Sequence, residues 1–353
     1  KIKNDETIVS IPSNYKNTLN YVSNNLYLKL KYSIKFKKIR LDTETTFHQY
    51  INTLNDTLKQ NPFFANPKIG ISWEINQKNR ISTSFSLNKT NINTGFRSFL
   101  KGTGSLNLLN ASLATLNHTY GNWGDKFFAN TYIIYSKNHE YISTNSIVSQ
   151  NYSQSENIII KDKNFLLFSS NIDKYFKPIL TNIKLTIGGT KSNFQNIVNN
   201  SDLRTVINSS FNYGFELRSS FKDFLNFNIG SKWEYNEVNT IFKNSYNENN
   251  SFIDLYFILN KKINFQLETE RYYNSNLDKK NNKYYFMDLE LNYVPNKNKL
   301  SFSILANNLF NTKTFKNYLV DDVSISKTEY RLLPRYILLK IDFRFWNLIK
   351  FVN

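Results

Sequence analysis

Tyr336-Ile337-Leu338-Leu339-Lys340-Ile341-Asp342-Phe343-Arg344-Phe345 is the stretch that decides the fold. In an extended chain successive side chains point to opposite faces, so Ile337, Leu339, Ile341, Phe343 and Phe345 share one face. Lys340, Asp342 and Arg344 share the other. The first face suits a core or hydrocarbon; the second carries both signs of charge and needs water or partners. One such strand fits a soluble sandwich as well as a membrane barrel. What separates the two is that much of the chain repeats the pattern at hairpin spacing.

Working outward, Leu300–Ala306 precedes this strand across a long loop, and the turn Pro295-Asn296-Lys297-Asn298 precedes that. Tyr285, Met287, Leu289, Leu291 and Tyr293 alternate with Asp288, Glu290 and Asn292. Ile263, Phe265 and Leu267 alternate with Asn264, Gln266, Glu268 and Glu270, after a strand Phe252–Leu259 and the turn Asn260-Lys261-Lys262. Leu225, Phe227, Ile229, Trp233 and Tyr235 oppose Asn226, Asn228, Gly230, Lys232 and Glu234, entered through Phe221-Lys222-Asp223 from the strand that carries Phe211, Tyr213, Phe215 and Leu217. Ile179–Gly189 and Ile158–Ser170 read as another pair, and Leu109–Tyr120 and Phe127–Tyr135 flank the turn Gly121–Asp125. Further back, Ile81–Leu87 and Ile69–Ile75 form a hairpin through Gln77–Arg80, preceded by a polar loop with Pro62 and Pro67. Leu26, Leu28, Leu30, Tyr32, Ile34 and Phe36 alternate with Tyr27, Lys29, Lys31, Ser33, Lys35 and Lys37, which a helix would scatter around its circumference.

Composition agrees. Aromatics are 16% of the 353 residues, yet hydrophobic residues are only 40%, and the mean hydropathy is -0.49. A barrel needs apolar residues only at alternate positions, so it reconciles these values. No run of about 18 apolar residues occurs, which excludes a transmembrane helix. Cysteine is absent, removing disulfides, thiolate metal sites and Cys nucleophiles together. The net charge of +18 reads either as affinity for nucleic acid or an anionic surface, or as the joint inflation of Lys, Asn and Ile. The cations are spread along the chain with no arginine-rich run and no nucleic-acid module, so no nucleic-acid partner is expected.

Short turns follow Ile75, Tyr120, Phe221, Leu259 and Tyr293, and longer polar connections lie between them. Transmembrane barrels alternate in this way, short turns inside and long loops outside. About 14 strands are visible, each near the roughly 9–11 residues a tilted membrane strand requires. The expected fold is therefore all-β, a transmembrane antiparallel up-and-down barrel over 26–345, with 1–25 the end of a preceding strand and connection, and 346–353 a short tail. The lipid-facing set is Leu225, Phe227, Ile229, Ile263, Phe265, Leu267, Met287, Leu289, Leu291, Ile337, Leu339, Ile341 and Phe343. Tyr213, Trp233, Tyr235, Tyr272, Tyr273, Tyr285 and Tyr293 read as interfacial girdles, against the alternative of ordinary aromatic β-propensity.

Catalytic chemistry is hard to find. His48, His118 and His139 are far apart and share no metal-ligand spacing. Glu268 and Glu270, two apart on one strand face, are what any polar barrel interior gives. Asp321-Asp322 lacks any further Ca²⁺ ligand set and reads as a solvated loop. There is no Gly-rich phosphate loop, G-x-S-x-G or H-E-x-x-H. The chain is expected to be no enzyme and to take no cofactor and no metal.

Leu300–Thr312, with its Asn307-Asn308-Leu309-Phe310-Asn311 element, then Glu329-Tyr330-Arg331-Leu332-Leu333-Pro334-Arg335 and the closing strand, resemble the C-terminal end of TonB-dependent outer-membrane receptors. The subgroup it is most similar to carries a carboxypeptidase-regulatory-like domain at the N-terminus. The resemblance covers roughly the last 60 residues sharply, and the rest only in architecture. It implies a 22-stranded barrel plugged by an N-terminal domain that contacts TonB, leaving roughly 8 strands and the plug upstream of Lys1. The start Lys1-Ile2-Lys3-Asn4, with no signal peptide, fits that expectation. Tyr336, Ile341, Phe343 and Phe345 would form the signal read by the barrel-assembly machinery, although the chain runs on past Phe345. The implied setting is the outer membrane of a Gram-negative bacterium, with outer-membrane lipid around it and an unknown extracellular ligand. Contacts to that ligand are expected from Asn91–Leu108, Lys137–Asn157, Lys191–Arg204 and Thr312–Lys327. A complete smaller barrel acting as a passive porin or hydrophobic-solute channel is the alternative.

Overall fold

The computed structural model describes residues 21–54, 58–91, 108–122, 124–149, 152–219, 224–295 and 300–343. They form eighteen strands and one short 3-10 turn. In order the strands are β1 (Tyr21–Phe36), β2 (Ile39–Leu54), β3 (Leu58–Gln60), β4 (Phe63–Asn76), β5 (Asn79–Asn91) and β6 (Leu108–Tyr120). Next come β7 (Phe127–Val148), β8 (Ser153–Phe176), β9 (Thr181–Val198), β10 (Arg204–Ser219), β11 (Leu225–Asn239) and β12 (Lys243–Ile258). The last six are β13 (Ile263–Asn274), β14 (Lys283–Tyr293), β15 (Leu300–Asn307), β16 (Thr314–Val320), β17 (Ile325–Arg331) and β18 (Tyr336–Phe343).

All but two lie in one antiparallel sheet of sixteen strands, each pairing with its neighbour in sequence: β1, β2, β4 onward to β15, then β18. β3 adds to the end of β2 and lies off this path. β16 and β17 form a hairpin of their own. Among the described residues nothing pairs β1 with β18, so a sheet of 14 strands closed through those two edges is not what forms.

Four strands are missing from the sequence reading, β2, β3, β16 and β17, and the longest of them is β2. Its outward row Ile39, Leu41, Thr43, Thr45, Phe47, Gln49, Ile51 is diluted by two threonines and a glutamine, and so it passes for a polar loop. Its hairpin turn is Lys37-Lys38 rather than a glycine-bearing pair, with Lys37 itself at φ 52°. Pro67, expected in a loop, sits inside β4 opposite Thr45. The β4–β5 ladder begins only at Lys68 opposite Ser86, so the missing N–H takes no rung from it. The Asn66 side chain continues that edge instead, donating to the Lys89 carbonyl at 3.0 Å and accepting from the Lys89 N–H at 2.7 Å.

The reading of 137–157 and 191–204 as loops also gives way. β7 runs to Val148 and β8 starts at Ser153, a long two-stranded arm whose ladder skips the His139–Asp162 pair, with Asp162 at φ 63°. Beyond that break β7 turns over to lie parallel with β9 at Asn145–Ile197 and Ser146–Val198. The Tyr141 hydroxyl anchors it by donating to the Gln195 carbonyl at 2.7 Å.

Register fixes the two faces of the sheet. Directly opposed residues of an antiparallel pair share a face. Phe227 faces Leu255, Leu255 faces Leu267, Leu267 faces Leu289, Leu289 faces Ala306, and Ala306 faces Ile337. A second row runs Leu225, Phe257, Phe265, Leu291, Ile304, Leu339. All thirteen residues assigned to lipid from their alternation lie on this one face. Ile337, Leu339, Ile341 and Phe343 are more than half exposed on it. At the other end of the sheet the same face continues through Ile69, Ile71, Leu41, Ile34 and Leu28. Lys29, Lys31, Arg40, Asp42, Glu44, Asp254, Glu268 and Asp288 take the opposite face.

Candidate functional site

The connection 308–335 between β15 and β18 is where the molecule departs from a plain meander. Its base is built by the Asn-Asn-Leu-Phe-Asn element. Asn308 and Asn311 both have left-handed backbones, φ 52° and 55°, a conformation asparagine tolerates better than other side-chain-bearing residues. The Asn308 amide donates to the Thr312 carbonyl at 2.9 Å and to the Leu333 carbonyl at 2.8 Å, and its oxygen accepts from the Thr312 N–H. One side chain thus ties the outgoing arm of the loop to the returning one. The Asn311 oxygen accepts from the Arg335 N–H at 3.2 Å, and the Asn308 N–H donates to Asp288 at 2.7 Å.

From this base the hairpin β16–β17 folds back over the polar face of the sheet. Phe315 enters a group of rings made by Tyr272, Tyr284 and Phe286, with centroid separations of 5.7, 5.0 and 6.4 Å. The Lys316 N–H donates to the Tyr284 hydroxyl at 3.2 Å. Val320 packs on Val238 and Tyr246, all three buried. At the tip, Arg204 donates to the Asp322 carboxylate at 2.5 Å and to its carbonyl at 2.9 Å, while Asn196 donates to the same carboxylate. The contacts therefore run from β9 to β14. Five strand spacings of about 4.8 Å make roughly 24 Å, which a seven-residue strand and its turn can span.

Asp322 is accordingly not solvated, whereas Asp321 beside it is exposed. The Arg204 and Asp322 side chains are only 14% and 11% exposed. Burial pushes the Asp322 carboxyl above its ordinary range, and the neighbouring Asp321 adds to this, while Asn196 and Arg204 pull the other way. The sequence signal for this docking is slight. Val320 beside Asp321-Asp322 in a polar loop is the only hint, and its partners lie far away in the chain.

Two hollows lie beside the hairpin. One, of about 310 Å³, is bounded by Lys232, Glu234, Glu248, Asn250, Tyr272, Tyr284, Phe315 and Lys316. The Asn250 side-chain oxygen on its wall is buried and has no hydrogen-bond partner. The other, of about 370 Å³, is bounded by Glu268, Glu270, Asp288, Tyr272, Phe286, Phe315 and Leu332. Together they offer ring faces, amides and charges of both signs, which suits binding of a polar molecule rather than bond-breaking.

Tyr272 is on this polar side, so it is not part of an outer girdle. Tyr213, Trp233, Tyr235, Tyr273, Tyr285 and Tyr293 all occupy the apolar face. Glu268 lies directly between Asp254 and Asp288 across three strands. Among the described residues no group of three or more His, Cys, Asp and Glu could hold a metal ion. His48 and His118 contact Asn25 and Asn79, at 3.2 and 2.9 Å. Of the expected assembly signal, Tyr336, Ile341 and Phe343 lie on β18, and Phe345 is outside the described residues. Of the expected ligand loops, 92–107 is likewise outside them.

No family model matches the sequence, and no curated protein does either. Solved structures align with it at low identity. The siderophore receptor PiuA of Acinetobacter baumannii aligns over 84% of this chain and 56% of its own, at 10% identity and a TM-score of 0.41. BauA, the ferric preacinetobactin receptor of the same organism, aligns over 92% and 58%, at 11% identity and a TM-score of 0.39. OmpT, an outer membrane protein of Vibrio cholerae, aligns over 72% and 87%, at 9% identity and a TM-score of 0.31. The chain thus spans less than two thirds of the length of the two receptors.

Proposed function

We propose that this chain is the wall of an outer-membrane barrel in a receptor-transporter: its apolar face meets lipid, and its polar face lines the lumen. The hairpin β16–β17 hangs into the outer mouth. The observation that carries this is the register, which gathers the apolar alternation of fifteen consecutive sheet neighbours onto one face. The hairpin then folds against the other. A soluble sandwich would bury the apolar face under a second sheet, and among the described residues no second sheet covers it. In a bilayer such a face is satisfied by hydrocarbon, and the ladder satisfies the backbone.

In this reading the ligand binds at the outer mouth, where the two hollows flank Phe315, and enters by TonB-coupled uptake. The C-terminal resemblance supports the coupling. Uptake by the full-length protein, measured in cells with and without TonB, tests it. Loss of uptake without TonB is expected. Undiminished uptake would replace this reading with that of a passive channel.

A further inference from the structure

The two rims of the sheet differ in charge. Antiparallel neighbours connected in order put alternate connections at opposite ends, so most of the short turns lie at one rim and the longest connection, 308–335, lies at the other with the brief turn 240–242. Among the described residues the short turns hold Lys37-Lys38, Lys78 and Lys261-Lys262, with Lys126 and Lys177 adding one each. Asp125 is the single acidic residue there, and its carboxyl is held below the ordinary range by the Asn122 N–H, with Lys78 adding to this. The longer connections hold Lys59, Lys279, Lys280, Lys313, Lys316, Lys327, Arg331 and Arg335, largely offset by Asp202, Asp278, Asp321, Asp322 and Glu329. Among the described residues seven cations against one anion at one rim face eight against five at the other, so the excess is six against three.

The short-turn cations also sit where an interface would hold them. Phe36, Phe127 and Phe176 end their strands on the apolar face, each immediately beside a turn lysine. The Lys37 ammonium lies 5.7 Å from the Phe36 ring. An aromatic ring at the edge of hydrocarbon with an ammonium just beyond it places positive charge at headgroup depth. Lys126, Lys177, Lys261 and Lys262 make no ion pair among the described residues.

We infer that the short-turn rim is a docking surface for the anionic phospholipid headgroups of the leaflet it meets. The inference rests on the bilayer reading above. Charge complementarity favours lipid, because the cations repeat from turn to turn around the rim instead of gathering into one patch, as a compact acidic partner would require. Such a surface holds anionic lipid against exchange, and fixes which end of the barrel faces that leaflet.

The experiment uses the full-length protein in vesicles of phosphatidylcholine mixed with phosphatidylglycerol. The protein is extracted in a neutral detergent, and the lipid retained per chain is counted by native mass spectrometry. The parent protein should retain phosphatidylglycerol over phosphatidylcholine, and added salt should weaken this preference. Each lysine near such a surface is worth roughly five-fold in affinity, about 1 kcal/mol. The combined variant Lys126→Gln, Lys177→Gln, Lys261→Gln and Lys262→Gln should therefore lose at least about ten-fold of the preference. The control Lys279→Gln, Lys280→Gln, Lys313→Gln and Arg335→Gln removes the same charge from the other rim and should keep it. Equal losses in both variants, or none in the first, would overturn the inference. Quenching of tryptophan fluorescence by brominated phosphatidylcholine reports insertion separately. Insertion without lipid preference sinks the inference alone, whereas no insertion in any vesicle sinks the bilayer reading with it.

Discussion

The walls at the two ends of the sheet share one alternation and use it differently. On β1–β5 the polar face is open. Lys29 and Lys31 pair with Glu44, and Arg40 with Asp42, with side chains 30–65% exposed. On β9–β14 the hairpin β16–β17 lies over the same face, and Val206, Val238, Tyr246 and Tyr284 are buried there at 0–9% exposure. Alternation therefore fixes only which residues avoid the apolar side. What happens on the other side depends on whether a distant segment returns to cover it.

The largest test of this contrast concerns the shared apolar face. Leu289→Arg at the centre of the band should cost about 2–4 kcal/mol in a bilayer, whereas Asn228→Arg on the polar face should be tolerated. Urea unfolding in lipid vesicles reads the difference, and equal costs would mean that the faces are misassigned. Next comes the covered wall. Arg204→Ala leaves the buried Asp322 with Asn196 alone and should cost roughly 1–3 kcal/mol. The loss should be local, seen as faster amide exchange in 314–331 and not in β1–β5. Uniformly faster exchange would show that the hairpin is not a separate unit. Smallest is the open wall, where Lys29→Ala should leave stability unchanged within error, because exposed ion pairs contribute little. A clear loss there would mean that the face is covered after all.

Much of the sheet is legible in the sequence because its period is two and its neighbours are consecutive. β11, β13 and β14 read most directly, since each carries at least three apolar residues alternating with polar ones. β2 escapes because Thr43, Thr45 and Gln49 occupy its apolar face, and because Lys37 takes the left-handed turn position without a glycine to mark it. The long arm of β7 and β8 escapes for a different reason. Above the Asp162 break its strands pair with each other and with β9, not with both sheet neighbours, so neither face has to be apolar. The candidate site is the least legible part. Arg204 and Asp322 are separated by more than a hundred positions, and nothing local to either announces the other.

The Asn308 tie has a consequence for the order in which the chain assembles. Nearly every strand here finds its partner across a connection of a few residues, and such pairs form early because little chain entropy is lost in closing them. The pairing of β15 with β18 closes over the longest span, 308–335. Each doubling of loop length costs only about 0.6 kcal/mol, so that span adds roughly 2 kcal/mol over a two-residue turn. Asn308, by holding Thr312 and Leu333 together, turns the long closure into a short one once the hairpin has formed. Addition of the last strand is thereby made conditional on a loop that would otherwise seem ornamental, and a chain whose hairpin fails to form should be slow to finish its sheet.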